Sequence, residues 1–150
     1  MLYFFVCFAV IVIDQLTKYY VVNNFFEGES IVVIENVFHW TYILNPGAAF
    51  GVFAGARWVF VAIALAVAAA LWLLRKELAA GDIFTKLGAA LFLGGAWGNL
   101  IDRVRNGLVV DFFDFRIWPV FNVADIAICA GVGFVLWSLL KTEFVQNGEN

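Results

Sequence analysis

Residues 58–74 read WVFVAIALAVAAALWLL, a run without a charged side chain. Arg57 comes directly before this run, and Arg75 and Lys76 follow it. The hydrocarbon core of a bilayer is about 30 Å thick, so a helix that crosses it needs roughly 20 mainly apolar residues. The pattern predicts a transmembrane helix at about 57–76 with cations at both ends.

Three more segments meet the same criterion, at about 1–22, 82–102 and 122–141. The first contains Asp14 and Lys18 and lacks the basic start and small-residue cleavage site of a secretory signal. Asp82 is the expected N-cap of the third. Because irregular backbone cannot face lipid, we expect a membrane α-helical fold, a four-helix bundle forming one domain over residues 1–150.

The composition supports this interpretation. Hydrophobic residues make up 64% of the 150-residue chain, charged residues make up 14%, and the mean hydropathy is +0.92. A soluble domain is about 45–50% apolar and about 25% charged, and its interior would not hold this much apolar surface. The net charge of -3, without a basic stripe, argues against nucleic acid as a partner.

Few residues are suited to metal or serine chemistry. The chain has one histidine, His39, and its cysteines, Cys7 and Cys129, lie in apolar runs typical of small buried side chains. This argues against a zinc site or a disulfide. The two serines, Ser30 and Ser138, lie outside any nucleophile motif.

Two long connections separate the helices. In 23–56, the runs IVVI (31–34) and VFHWTYIL (37–44) predict a small β-sheet on one membrane face, between the first and second helices. The other, 103–121, mixes charges with aromatic residues, which favour the headgroup level. Four spans place both connections on one side and both termini on the other, and the distribution of Lys and Arg does not decide which side is cytoplasmic.

Ionisable residues inside membrane helices are functional candidates, since each costs about 2.5–3.5 kcal/mol to insert. Asp14 and Lys18 have i, i+4 spacing and therefore share a helix face. They can serve the site or form a structural ion pair that holds the first helix in the bundle.

The segment GGAWGNLIDR (94–103) ends the third helix. Gly94 and Gly98 have the spacing that lets another helix approach closely. Asn99 and Asp102 share a face three residues apart. The alternative is an ordinary capped helix end.

Asp111, in VVDF, is expected in the surface connection, and Asp125, in FNVAD, in the first turn of the fourth helix. Two carboxyl groups that meet in a low-dielectric site cannot both ionise, so one holds a proton while the other acts as a base. Such a dyad activates water against a peptide carbonyl. The spacing leaves an alternative open, in which Asp125 only stabilises the helix dipole.

The segment LNPGAAFG (44–51) carries Asn45 in a glycine-containing turn before the second helix. Small residues there would let a substrate backbone lie close, with the Asn45 amide as its hydrogen-bond partner. A simple connection between loop and helix is the alternative.

Taken together, these segments resemble the bacterial lipoprotein signal peptidases (signal peptidase II) over nearly the whole chain. The motifs that carry the resemblance are DQLTK (14–18), NPGAAFG (45–51), GGAWGNLIDR (94–103), GLVVDF (107–112) and FNVAD (121–125). The resemblance implies an intramembrane aspartyl endopeptidase that cleaves prolipoproteins on the amino side of a diacylglyceryl-modified cysteine. It implies Asp111 and Asp125 as the catalytic pair, without a metal or cofactor.

The resemblance also implies roles for the other motif residues. Substrate contact and orientation of the dyad fall to Asn45, Asn99, Arg103 and Asn122, whereas the framework is held by Asp14, Lys18, Gly47 and Asp102. Asp114 is an additional acid outside the matching motifs. The implied location is the bacterial cytoplasmic membrane, with cytoplasmic termini and with the sheet and active site at the extracytoplasmic face. The implied partners are prolipoprotein substrates, membrane lipid and the inhibitor globomycin, with no obligate protein partner.

Two alternatives belong to other functional classes. A proton-coupled transporter would need acids around a midplane cavity, but the acids here cluster towards one boundary. An assembly factor that binds partners through its sheet would leave the aspartates and asparagines without a task.

Overall fold

The computed structural model describes residues 2–47 and 55–148. Its elements, in chain order, are α1 (Leu2–Asn24), β1 (Ser30–Ile34), β2 (Phe38–Asn45), α2 (Arg57–Leu73), α3 (Arg75–Ala80), α4 (Ile83–Arg105), β3 (Val109–Asp114) and α5 (Val123–Gly148). The architecture is a bundle of four long helices with a small three-stranded sheet at one end. The short helix α3 lies in the turn between α2 and α4.

The outer surfaces of the helices are apolar. Two helical segments in the described part of the chain, Tyr3–Asn24 and Val123–Lys141, are long and apolar enough to span a membrane, and α2 is a shorter apolar helix. Large apolar side chains cover the outside, with Phe4 71% and Leu73 73% exposed. Lipid is the solvent that makes such a surface favourable.

The helix α4 is central, since it packs against α1, α2 and α5. Its glycines allow this packing, as the spacing of Gly94 and Gly98 predicted. A Cβ on Gly94 would lie 2.9 Å from the carbonyl oxygen of Cys7, and one on Gly98 would lie 2.6 Å from Oδ2 of Asp14. The α4 backbone therefore lies directly against α1.

Specific side chains define the ends of α4. Asp82 is the N-cap, as predicted, and its Oδ1 accepts a hydrogen bond from the Thr85 backbone N–H at 2.8 Å. The helix continues to Arg105, where the Arg57 guanidinium donates to the carbonyl oxygen of Val104. A cation at this position suits the negative end of the helix dipole.

The sheet is antiparallel, in the order β1–β2–β3. Its first two strands are those that the sequence predicts, but the third comes from the connection between α4 and α5. The expectation that Asp111 lies in a surface connection is therefore wrong, because Asp111 is 3% exposed in β3. The run VVDFFD lacks alternation of polar and apolar residues because β3 is buried on both faces.

A small core joins the sheet to the end of α1. It consists of Val21, Tyr42, Val110 and Phe112, with Phe112 and Val21 fully buried. Burial of a phenylalanine contributes about 1.5–3 kcal/mol, so this core fixes β3 against α1. The cysteines are free, as expected, but Cys129 is exposed and Cys7 half-buried, contrary to the expected burial. In an apolar environment, a small apolar side chain does not have to be buried inside the protein.

Candidate active site

Asp111 lies on β3 and is held by two asparagine amides. Nδ2 of Asn45 donates to its Oδ2 at 2.9 Å, and Nδ2 of Asn122 donates to its Oδ1 at 2.7 Å. In the sheet, Asp111 lies opposite Ile43 and Val109 opposite Asn45. Asn45 is thus the diagonal neighbour of Asp111, and its side chain can reach across the strand pair.

Asp125 lies in the first turn of α5, as its position in the sequence indicates. Its Oδ1 accepts a hydrogen bond from Nδ2 of Asn99 at 2.8 Å, and its Oδ2 accepts one from the Asn122 backbone N–H at 3.1 Å. The Asp125 backbone N–H in turn donates to Oδ1 of Asn122 at 3.0 Å. This reciprocal pair is a capping arrangement, and it places the carboxylate at the positive end of the helix dipole.

Two asparagines connect the aspartates. Nδ2 of Asn122 contacts Asp111 and also donates to Oδ1 of Asn99 at 3.0 Å, while Nδ2 of Asn99 contacts Asp125. Asn122 is fully buried and Asn99 is 7% exposed. The amide groups therefore form a continuous path between β3, α4 and α5 that fixes both carboxyl groups.

The electrostatics of the site favour a proton on Asp111. Burial raises the pKa of Asp111 to about 7, and the nearby charge of Asp125 contributes to the increase. The hydrogen bonds from Asn45 and Asn122, together with the charge of Lys18, act in the opposite direction. Burial and a like charge are the two conditions that keep a carboxylic acid protonated near neutral pH.

Arg103 links α4 to the turn that follows β2. Its Nη2 donates to the carbonyl oxygen of Gly47 at 3.1 Å, and its guanidinium carbon lies 4.5 Å from the centre of the Phe60 ring. The Gly47 backbone N–H donates to Oδ1 of Asn45 at 2.9 Å. The turn therefore holds both Asn45 and Arg103 in place. The remaining residues of this motif, 48–51, lie outside the described residues.

A buried charge cluster, made by Asp14, Lys18 and Asp102, lies next to Asn99. Nζ of Lys18 is 2.9 Å from Oδ2 of Asp14 and 2.8 Å from Oδ2 of Asp102. The expected pairing of Asp14 with Lys18 is present, and Asp102 makes it a triad. Asp14 also accepts a hydrogen bond from the Ala124 backbone N–H at 2.9 Å, which ties α1 to α5.

Gln15 is a site residue that the sequence analysis missed, although it lies within the DQLTK motif. Its Nε2 donates to Oδ1 of Asp102 at 2.9 Å and to the carbonyl oxygen of Gly98 at 3.2 Å. The available signal was its place beside Asp14 on a helix that should be apolar. Gln15 connects α1 to α4 at the level of the charge cluster.

Asp114 lies apart from the pair. Its Oδ2 accepts hydrogen bonds from Thr41 Oγ1 and Arg116 Nη1, each at 2.9 Å. Burial acts to raise the pKa of this carboxyl group, but the bonds from Arg116 and Thr41 lower it overall. An ionised carboxylate with fixed partners is a structural group.

Asp111 and Asp125 line the same groove, which has a volume of about 410 Å³. Asn45, Asn99 and Arg103 also line its polar end. Away from this end, the walls are apolar and come from α2, α4 and α5, including Ile63, Val67, Phe92, Ala96 and Ile128. The groove therefore offers two carboxyl groups and amide donors at one end of an apolar channel.

Relatives align with nearly the whole chain. It is 49% identical over 140 residues to a lipoprotein signal peptidase of Moorella thermoacetica, and the match covers 93% of both chains. A lipoprotein signal peptidase of Halothermothrix orenii is 42% identical over 142 residues, covering 95% of this chain and 97% of its own.

Solved structures show the same fold. Two structures of bacterial membrane enzymes superpose with TM-scores of 0.85 and 0.82, each at 33% identity. The superpositions cover 93% of this chain, and 87% and 92% of the respective enzymes. The family model described as signal peptidase (SPase) II matches residues 6–141. This bacterial membrane protein therefore belongs to the signal peptidase II family, the aspartic peptidases that remove signal peptides from lipid-modified prolipoproteins.

Proposed function

We propose that Asp111 and Asp125 are the catalytic pair of an endopeptidase acting on diacylglyceryl-modified prolipoproteins. The scissile bond would lie on the amino side of the lipidated cysteine. The observation that carries this proposal is that both carboxyl groups line one groove while the amides of Asn99 and Asn122 connect them.

The chemistry follows from one proton shared by two carboxyl groups. Asp125, as the carboxylate, takes a proton from a water molecule whose oxygen forms a bond to the scissile carbonyl carbon. Asp111 gives its proton to the carbonyl oxygen; its pKa of about 7 supports this role. When the C–N bond breaks, the proton on Asp125 passes to the leaving amine nitrogen, and Asp111 recovers a proton from the collapsing hydroxyl group.

The groove accounts for how the substrate would be held. Its apolar walls suit the signal peptide and acyl chains, which remain in the bilayer, and its polar end suits the peptide backbone. Anchoring the substrate in this way converts a bimolecular encounter into a positioned reaction. Arg103 and Asn45 carry the donors that face this end and would contact the substrate carbonyl groups.

The proposed orientation has both termini in the cytoplasm. Helix α1 begins at the end of the bundle opposite the sheet, and the long connections both lie at the sheet end. The sheet and the groove's polar end then face the outer side of the cytoplasmic membrane. This is the side on which secreted prolipoproteins arrive.

A cleavage assay tests the proposal. Purified protein in detergent or lipid is mixed with a diacylglyceryl-modified prolipoprotein, and the loss of the signal peptide is followed as a gel shift. Asp111→Asn and Asp125→Asn are expected to abolish cleavage while remaining folded. Asp114→Asn is the matched control, a buried aspartate of the same strand outside the groove, and it is expected to cleave.

The same preparation tests the inhibitor. We propose that globomycin occupies the groove beside the aspartates, so that it raises the thermal stability of the parent and of Asp114→Asn.

In the cleavage assay, normal cleavage by Asp111→Asn or Asp125→Asn would refute the catalytic assignment. A folded parent that never cleaves would refute the proposed activity itself.

A further inference from the structure

The ammonium group of Lys18 has three hydrogen-bond donors, and all three have acceptors. Two are the carboxylates of Asp14 and Asp102, and the third is Oδ1 of Asn99 at 2.8 Å. Lys18 is 3% exposed, so it would not readily exchange these partners for water. An ammonium group has no acceptor, so the atom of Asn99 that faces it must be the oxygen.

The orientation of the Asn99 amide follows from this contact. Its Oδ1 accepts from Lys18 and from Nδ2 of Asn122, which uses both of its lone pairs. Its Nδ2 is thereby turned towards Oδ1 of Asp125. If the amide rotated by half a turn, its NH₂ group would face two donors and its oxygen would face a carboxylate. Such unmet buried contacts cost about 1–3 kcal/mol each.

We propose that Lys18 is a positioning residue: it fixes the orientation of the Asn99 amide and thereby keeps a donor on Asp125. The proposal rests on the catalytic role proposed for Asp111 and Asp125. Lys18 itself is not among the residues that line the groove. It acts through Asn99, beyond holding α1 in the bundle.

The charged groups around this contact come from four elements. Asp14 lies on α1 with Lys18, Asp102 and Arg103 lie on α4, Asp111 lies on β3 and Asp125 lies on α5. The positive charge of Lys18 also acts to lower the pKa of Asp111. Loss of Lys18 therefore has two effects: the carboxylate of Asp125 loses the orientation of its Asn99 donor, and the pKa of Asp111 rises.

Two variants separate positioning from structure. Asp14→Asn removes one carboxylate of the triad but keeps the bond from Lys18 to Asn99. The double variant Asp14→Asn/Lys18→Met also removes the ammonium group, and its triad has the same net charge as that of the parent. Lys141→Met, an exposed lysine at the far end of α5, is the matched control for the lysine substitution.

The measurement is the dependence of kcat and KM on pH. For the double variant, we expect the bell-shaped kcat profile to move to higher pH by about one unit, with KM changed less than about threefold. Asp14→Asn is expected to keep the parent's profile or move slightly to lower pH. A double variant with lower kcat but the parent's profile would overturn the proposal, because a purely structural role reduces activity without moving the profile.

Two measurements do not depend on activity. The side-chain ¹³C resonance of Asp111, assigned with Asp111→Asn, is expected to titrate at higher pH in the double variant than in the parent. In the parent, the ¹⁵N resonance of Asn99 Nδ2 is expected to shift as the pair titrates, and an unresponsive resonance would overturn the proposal. If the parent does not cleave, the proposed function fails, while these titrations still decide the role of Lys18.

If the double variant does not fold, the titration of the Asn99 Nδ2 resonance in the parent still tests the proposal. In that case Asp14→Asn/Lys18→Met/Asp102→Asn, which leaves no charge in the triad, takes its place in the titration. Its Asp111 resonance is expected to titrate at higher pH than that of Asp14→Asn/Asp102→Asn, which has the same two aspartate substitutions and keeps Lys18, and equal titration of the two variants contradicts the role of Lys18.

Discussion

Nδ2 of Asn45 lies 2.9 Å from Oδ2 of Asp111, across a strand pair whose members are 66 residues apart in the chain. This hydrogen bond is one of the interactions that lower the pKa of Asp111 against the effect of burial. A substitution that removes the donor should therefore leave the carboxyl group protonated over a wider pH range.

We expect Asn45→Leu to raise the pKa of Asp111 above about 7 and to reduce kcat, because the proton donor is no longer oriented. The pH profile of cleavage would show its basic limb at higher pH. Thr41→Val is the control, since it removes a hydrogen bond to Asp114 in the same strand pair. A basic limb at the parent's pH in Asn45→Leu would contradict the assigned role.

The pH dependence of the parent follows from the raised pKa of Asp111. Below about pH 7 this carboxyl group holds the proton that the mechanism transfers to the substrate. As the pH rises through about 7, the proton is lost, and we expect kcat to fall about tenfold per unit. Single-turnover cleavage between pH 5 and 9 measures the limb, and activity that keeps rising above pH 8 would exclude Asp111 as the proton donor.

The contact between α1 and α4 predicts the result of a glycine substitution. In Gly98→Ala the new methyl group would lie 2.6 Å from Oδ2 of Asp14, so α1 must move and the charge cluster with it. We expect a loss of about 1–3 kcal/mol of stability together with a loss of cleavage. Thermal unfolding in detergent measures the first effect.

Gly133→Ala is the matched control for that substitution. A Cβ on Gly133 meets nothing within 4 Å, and the residue lies within α5. Alanine is about 1 kcal/mol more favourable than glycine in a helix, so this variant should unfold at the same or a higher temperature. Equal effects of the two substitutions would show that close packing at Gly98 is unimportant.

The apolar wall of the groove predicts a change in substrate binding. Val67 lines the groove on α2, so Val67→Trp would fill space proposed for the signal peptide or the acyl chains. We expect KM to rise about tenfold or more while the pH profile stays unchanged. Leu65→Trp introduces the same side chain at an exposed position of the same helix and should cleave normally. Cleavage kinetics at several substrate concentrations give the KM of each variant and so distinguish Val67→Trp from Leu65→Trp.

Local signals in the sequence are enough to predict the four long helices and the first two strands, but not the short helix α3. Long apolar runs define α1, α2 and α5, and the capping aspartate Asp82 marks the start of α4. Polar residues that lipid disfavours identified most of the candidate site, since each of them needed a reason to be in an apolar helix. Gly94 and Gly98 were also a local signal, because their spacing alone indicates close helix packing.

The rest of the fold and of the candidate site depends on contacts between residues distant in the chain, which no local pattern reveals. The strand β3 is buried on both faces, so its aspartate and phenylalanines do not alternate, and its sequence resembles an aromatic connection. The triad required Asp102 of α4 to meet Lys18 of α1, and Gln15 resembled an ordinary polar residue. Resemblance to a family supplied the pairing of Asp111 with Asp125, which their spacing left open.

The division of the groove into a polar end and apolar walls affects how the sequence of the protein can evolve. Asn99 and Asn122 each bond to several partners on other elements, so a single substitution there leaves more than one group unsatisfied. On the wall that α2 provides, Ile63 and Val67 have apolar side chains, and each can be exchanged without leaving a polar group unsatisfied. Adaptation to new substrates, and resistance to a compound that fills the groove, should therefore arise first along α2.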